Sequence, residues 1–304
     1  MTKSTTYTLR NWTVTRQSTM QSTMASLVRI LVLSASAALL GGCDYVLFDP
    51  RGPVAEEQTW LLWFSAAVML VVVIPVLAMS LYFPYKYRAS NTQAEYQPDW
   101  EHSNRIEAVV WGVPIAIILV LGYITYVTSY SLDPRKPIDS DKETMVVQVV
   151  AMDWKWLFIY PELGIASVNE MAMPLDTPVE FLVTSDTAMN SFFIPHLGTQ
   201  IYAMSGMENR VNLMATEAGT YPGMSANYSG FGFSGMKFNA IATDQQGFED
   251  WILRVQREGT SLDDPAFSQL QEKSRDVAPM YFSSVNPLLF NNVIERFTGG
   301  FGGN

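Results

Sequence analysis

Met145-Val146-Val147-Gln148-Val149-Val150 is where apolar residues stop running in long blocks and begin to fall in short β-branched runs. Such side chains fit a pleated, half-buried surface. Three stretches of the same kind follow: Val179-Glu180-Phe181-Leu182-Val183-Thr184, Val211-Asn212-Leu213-Met214-Ala215 and Phe238-Asn239-Ala240-Ile241-Ala242. Their period of two predicts strands. Pro161, Pro174, Pro178, Gly198, Gly219 and Pro222 punctuate them, as turns require. Short strands between turn signals predict a Greek-key sandwich over residues 131–245. Beyond Gln245 the strand signal stops. Phe248, Trp251, Ile252 and Val255 have helical spacing, and short helices are expected near 265–275 and 287–297. Residues 246–304 thus form a helical extension ending in a loose glycine-rich tail, 299–303.

Working upstream, residues 60–83 and 108–130 carry no charge. At ~1.5 Å per residue each covers the ~30 Å hydrocarbon core of a bilayer. Trp60, Trp63, Tyr82, Tyr85 and Tyr87 bracket the first, and Trp111, Tyr126 and Tyr130 the second, like interfacial aromatic belts. Pro75 and Pro114 lie inside them, which membrane helices tolerate. Two transmembrane helices are therefore expected, over 60–83 and 107–130, joined by a loop over 84–106.

A third apolar block, 27–42, is too short to span. It follows a basic leader with Lys3, Arg10 and Arg16, has Arg29 near its start, and ends in Leu39-Leu40-Gly41-Gly42-Cys43. That describes a signal peptide over 1–42, and the junction resembles a lipobox whose cysteine is acylated. Met20 and Met24 offer alternative starts. With Cys43 lipidated outside, residues 43–59 form a periplasmic N-terminus and the loop 84–106 is cytoplasmic. Lys86, Arg88 and Arg105 then obey the positive-inside rule. The localisation expected is the bacterial inner membrane, multi-pass, with the C-terminal domain in the periplasm.

Charge and rare residues narrow the chemistry. The net charge is −10, and from Ser131 onward 21 Asp/Glu stand against 11 Lys/Arg. An acidic outer domain argues against nucleic-acid partners. Cys43 is the single cysteine, so no intrachain disulfide can form, and histidine is limited to His102 and His196. His196 reads as a hydrogen-bonded loop imidazole and His102 as an interfacial residue.

Three segments carry a family resemblance: the aromatic run Asp153-Trp154-Lys155-Trp156-Leu157-Phe158-Ile159-Tyr160; Trp100 through Trp111; and Met189-Asn190-Ser191-Phe192-Phe193-Ile194-Pro195 with Gly219-Thr220-Tyr221 through Met236. Together with two N-terminal spans and a sandwich, they resemble subunit II of the haem–copper respiratory oxidases. The subunit II of cytochrome bo-type ubiquinol oxidases is the closest variant. The resemblance covers roughly residues 43–297 and implies a cupredoxin-like fold.

Copper-bearing members of that family hold a dinuclear centre with a His in a His-Ser-Phe/Trp-x-x-Pro segment and a Gly-Gln-Cys-Ser-Glu-x-Cys-Gly-x-x-His-x-x-Met segment. Laid on this chain, the histidines fall on Asn190 and Phe233, the bridging cysteines on Ser225 and Ser229, and the carbonyl-donating glutamate on Asn227. Only Met236 keeps its residue. Two copper ions sharing an electron need soft thiolates and imidazoles, and serine hydroxyls are hard and protonated. Metal ligands are therefore expected to be none. Met204, Met207, Met214 and Met224, near Met236, read as fillers of core gaps.

Glu107 opens the second span. In the family this position matches the glutamate at the mouth of a proton channel through subunit I. Asn104-x-x-Glu107 equally fits a capping box. Trp154 and Trp156 are read as alternating on one strand face, packed against subunit I or the membrane surface.

The resemblance implies a copper-free, non-catalytic subunit of a proton-pumping terminal ubiquinol oxidase. Electrons would pass from a membrane quinol to haems and a copper ion in subunit I and then to oxygen. No cofactor is expected in this chain beyond a covalent lipid on Cys43. Partners would be subunit I, subunits III and IV, and membrane lipid. Two rivals remain: a copper-bearing cytochrome c oxidase subunit II, and a free-standing periplasmic lipoprotein that binds a ligand or metal. One lipid and one helix would serve the latter.

Overall fold

The computed structural model describes residues 46–298 apart from Tyr96. The leader, the Cys43 junction and the glycine-rich tail lie outside the described residues. Helix α1, Pro53–Lys86, and helix α2, Asn104–Ser131, contain the two apolar blocks. At ~1.5 Å per residue, the 34 residues of α1 outreach a bilayer core. Its extra length is the polar stretch ahead of Trp60, which emerges toward the sandwich. Gly52 is extended and Pro53 occupies the first helical position, where its missing N–H costs nothing.

Twelve strands build two sheets among the described residues. The seven-stranded sheet has the order β11 (Thr260–Leu262), β12 (Met280–Val285), β3 (Ile165–Val168), β2 (Lys155–Tyr160), β1 (Met145–Met152), β5 (Val179–Ser185), β8 (Asn209–Leu213). The five-stranded sheet has the order β4 (Glu170–Pro174), β10 (Lys237–Thr243), β9 (Gly219–Ser225), β6 (Asn190–Phe193), β7 (Ile201–Ala203). Most pairs are antiparallel, but β1 runs parallel to β5, β4 to β10 and β11 to β12, and such pairs need long crossover connections.

Alternation along β1 and β2 serves two cores. Val147, Val149, Ala151, Trp156, Phe158 and Tyr160 point between the sheets. Val150, Met152, Leu157 and Ile159 point the other way and are equally buried. Leu262, Phe267, Leu270, Phe282, Leu289, Phe290 and Val293 cover that outer face, carried by β11, β12 and helices α4 (Asp264–Leu270) and α5 (Leu289–Thr298). Burial on both faces explains why β1 reads as near-continuous valine. Helix α3, Gln245–Glu258, starts at Asp244, whose carboxylate accepts from Gly247 N, and lays Phe248, Trp251 and Val255 into the inter-sheet core.

Polar ties fasten the extension. Glu170 accepts from Trp251 Nε1 at 3.1 Å, Arg254 Nη2 at 2.9 Å and Tyr281 Oη at 2.6 Å. Asp186, buried, accepts from Gln271 and Arg296, and burial raises its pKa above the ordinary carboxylate value. Lys155 is buried with Nζ donating to Glu272 O at 2.7 Å, and burial lowers its pKa. Burial, with the hydrogen bond to Glu170, pushes Tyr281 up to about 12. A folded-state pKa above the ordinary tyrosine value of ~10 means that its contribution is complete below pH ~10 and is lost as pH rises through about 12. Tyr281→Phe is therefore expected to remove an alkaline loss of stability in that window. Chemical unfolding at stepped pH checks this, and an unchanged alkaline slope in the variant would contradict it.

Trp154 is not on a strand, contrary to expectation. Asp153 and Trp154 make the two-residue turn between β1 and β2, with Trp154 at φ 62°. The two tryptophans therefore do not share a face. Trp156 lies in the core against Phe192 and Phe238, whereas Trp154 is half-buried at the turn.

Candidate functional site

The positions that match the family's copper ligands are brought together at one end of the five-stranded sheet. Asn190 begins β6 and Ser225 ends β9, in neighbouring antiparallel strands where Phe192 faces Ser225. Both are buried. Ser225 Oγ donates to Asn190 Oδ1 at 3.0 Å, and Asn190 Nδ2 donates to Ala188 O at 2.9 Å. Asn227 Nδ2 donates to Met189 O at 3.0 Å. Ser225 N donates to Met236 O at 3.1 Å, while the Met236 side chain is buried within the inter-sheet core. Phe233 sits in a short 3₁₀ turn, its ring edge-on to Tyr228 at 5.6 Å.

Hydroxyls and amides that bond one another do not fit a dinuclear copper centre, which asks for thiolates and imidazoles. Among the described residues no three His, Cys, Asp or Glu side chains gather where a metal ion could sit. Ser229 Oγ is buried there without a hydrogen-bond partner among the described residues. Its carbonyl accepts from Trp154 Nε1 at 3.2 Å.

Trp154 is the residue that the sequence pattern misplaces. Its indole lies over Gly230 and Gly232, and a Cβ at Gly232 would run into the ring. The β1–β2 turn thus seats a flat lid on the loop between Ser225 and Met236. Positive φ at a tryptophan has no sequence signal; only the two glycines, which admit close approach, hint at a ring above them.

His196 joins neither the loop nor a ligand set. Its Nδ1–H donates to Asp49 O at 2.9 Å and its ring lies 5.2 Å from Tyr221. Arg51 N donates to His196 O at 2.8 Å, Thr216 N donates to Arg51 O at 2.9 Å, and Arg51 pairs with Asp49 and Glu217. A Cβ on Gly52 would collide with the Met214 carbonyl. His196 therefore holds a strap, Asp49 to Gly52, that threads against the sandwich just before α1.

Glu107 stands in the first turn of α2, far along the chain from this loop, and is exposed. The capping box does not form. Ser103 is the N-cap, no side chain caps the helix, and Glu107 N donates to Ser103 O at 2.9 Å. Ser103, not Asn104, takes the extended backbone, so Asn104 is already helical and does not stand at the cap. His102 is exposed in the preceding loop.

Comparison with known proteins agrees with this architecture. Residues 162–242 match the family "Cytochrome C oxidase subunit II, periplasmic domain", and residues 256–300 match "COX Aromatic Rich Motif". The chain is 56% identical over 263 residues to the cytochrome bo(3) ubiquinol oxidase subunit 2 of Pseudomonas aeruginosa, covering 86% of this chain and 80% of that one. It is 48% identical over 279 residues to the ubiquinol oxidase subunit 2 of Acetobacter aceti, covering 91% and 90%. It is 36% identical to the quinol oxidase subunit 2 of Bacillus subtilis, covering 84% and 81%. Identity at this level across nearly the whole chain, on a frame of two spans and a two-sheet sandwich, leaves one conclusion: the chain belongs to the family of cytochrome bo-type ubiquinol oxidase subunit II.

Proposed function

We propose that this chain is a copper-free, non-catalytic subunit of a proton-pumping terminal ubiquinol oxidase. Electrons leave a membrane quinol for haems and a copper ion in subunit I and reduce oxygen there, and subunits III and IV complete the assembly. The observation that supports the copper-free reading is the Ser225–Asn190 hydrogen bond. Two positions that would ligate a metal satisfy one another instead, in a buried place where an unpaired polar group costs ~1–3 kcal/mol.

Copper titrated into the detergent-solubilised chain should leave its thermal unfolding unchanged, as should a chelator. A ligand bound only by the native state raises stability, so a shift of several degrees at stoichiometric copper would overturn this reading.

Lipidation of Cys43 is the second element of the proposal. Its motive is the Leu40-Gly41-Gly42-Cys43 junction. The mature protein weighed intact should lack residues 1–42 and carry acyl groups on Cys43. An unmodified cysteine, or a retained leader, would sink the idea.

Glu107 is the third. Its exposure at the loop end of α2 supports a role in gathering protons and passing them to a path in subunit I. No side chain among the described residues bonds its carboxylate.

A further inference from the structure

We propose that the cleft where the two spans meet the sandwich binds the headgroup of an ethanolamine phospholipid of the outer leaflet. The cleft encloses about 150 Å³. That is space for several waters, a size that suits a small polar headgroup. Glu57 comes from the start of α1, Ser131 ends α2, Asp133, Lys136 and Asp139 come from the linker into the sandwich, and Thr199 from the sandwich. Glu57 lies one turn before Trp60, and Ser131 directly follows Tyr130. The cleft therefore opens at the height of the aromatic belt, where lipid headgroups lie.

The charges around it do not neutralise one another. Among the described residues Glu57 accepts only from Ser131 Oγ, at 2.9 Å, and Asp133 from the backbone N of Arg135, at 2.9 Å. Lys136 and Asp139 form no ion pair among the described residues. One ammonium and three carboxylates thus stand around one small space. A ligand complementary to that set carries an anion for Lys136 and a cation with N–H donors for the carboxylates. Phosphoethanolamine joins the two in a single group. A phosphoglycerol headgroup brings a phosphate but no cation. Phosphocholine brings a cation that cannot donate a hydrogen bond to the carboxylates.

The test uses the complex assembled around the full chain, purified in mild detergent. Phospholipid retained per complex is counted by class for wild type, Glu57→Gln/Lys136→Gln and Lys136→Arg. Wild type and Lys136→Arg should keep one more ethanolamine lipid per complex than the double variant. The second arm needs no variant. Delipidated wild-type complex should take that lipid back from vesicles of phosphatidylethanolamine, and not from vesicles of phosphatidylglycerol or phosphatidylcholine. Equal retention in wild type and double variant overturns the proposal, as does equal refilling by phosphatidylglycerol. Loss of a partner subunit from the double variant with lipid unchanged also overturns it, because the cleft is then a protein contact.

Discussion

Trp156→Ala lowers the stability of the sandwich by about 3–5 kcal/mol, the range for truncating a large aromatic in a packed core. The side chain is fully buried and touches Phe192 of β6 at 5.5 Å and Phe238 of β10 at 5.9 Å, both edge-on. It is thus a bridge from the seven-stranded sheet to the five-stranded one, and alanine leaves a hole between them. Against a typical domain stability of ~5–15 kcal/mol, that loss should show as a large fall in melting temperature and poor recovery of the folded chain. Trp156→Phe is the control. It keeps an aromatic ring and removes Trp156 Nε1, which is buried without a partner among the described residues, so its cost should stay under ~1.5 kcal/mol. Trp154→Ala, two residues away, should leave melting near wild type and instead speed hydrogen exchange in the loop beneath it. Equal melting for Trp156→Ala and Trp154→Ala would refute this division of labour.

Glu107→Gln should slow oxygen reduction per haem in the assembled oxidase by about tenfold, equivalent to ~1.4 kcal/mol of barrier. Glutamine keeps shape and size but cannot exchange a proton near neutral pH. Its cost to the helix is small. No cap depends on the side chain, and a first-turn carboxylate contributes only ~0.3–1 kcal/mol through the helix dipole. A slower turnover with normal haem content therefore reports on protons and not on folding. Turnover equal to wild type across pH would reduce Glu107 to a first-turn charge. Reduced haem content with normal turnover per haem would make it an assembly contact.

The parts of this fold that sequence disclosed are those in which burial and composition agree. β1, β5 and β10 are rich in Val, Ile, Phe and Ala, and α1 and α2 each hold an unbroken apolar run, 60–83 and 108–130. β9, Gly-Thr-Tyr-Pro-Gly-Met-Ser, alternates exposed and buried positions, but glycine and proline disguise it as a loop. The four-residue β6 and three-residue β7 are too short for a period to register. The ligand positions were visible only through the family's spacing, because hydroxyls and amides carry no metal signature of their own. What they do to one another, Ser225 to Asn190 above all, depends on two strands meeting across a sheet and is invisible along the chain. Trp154 was misplaced for a related reason: a two-residue alternation reads as a strand face unless the turn between is known.

The double burial of the seven-stranded sheet bears on export. This domain crosses the inner membrane from its N-terminal end, yet β3 pairs with β12, and the outer face of β1 and β2 is covered by Phe290 and Val293. Until the segment from Leu262 to Val293 has emerged, Val150, Met152, Leu157 and Ile159 lack their full cover. A half-delivered domain would present a wide greasy plate, a surface prone to sticking to other chains. Closing contacts of such long sequence separation also form slowly. The final forty residues thus act as a delivery check, since the sandwich becomes inert to its neighbours only when the whole chain has arrived.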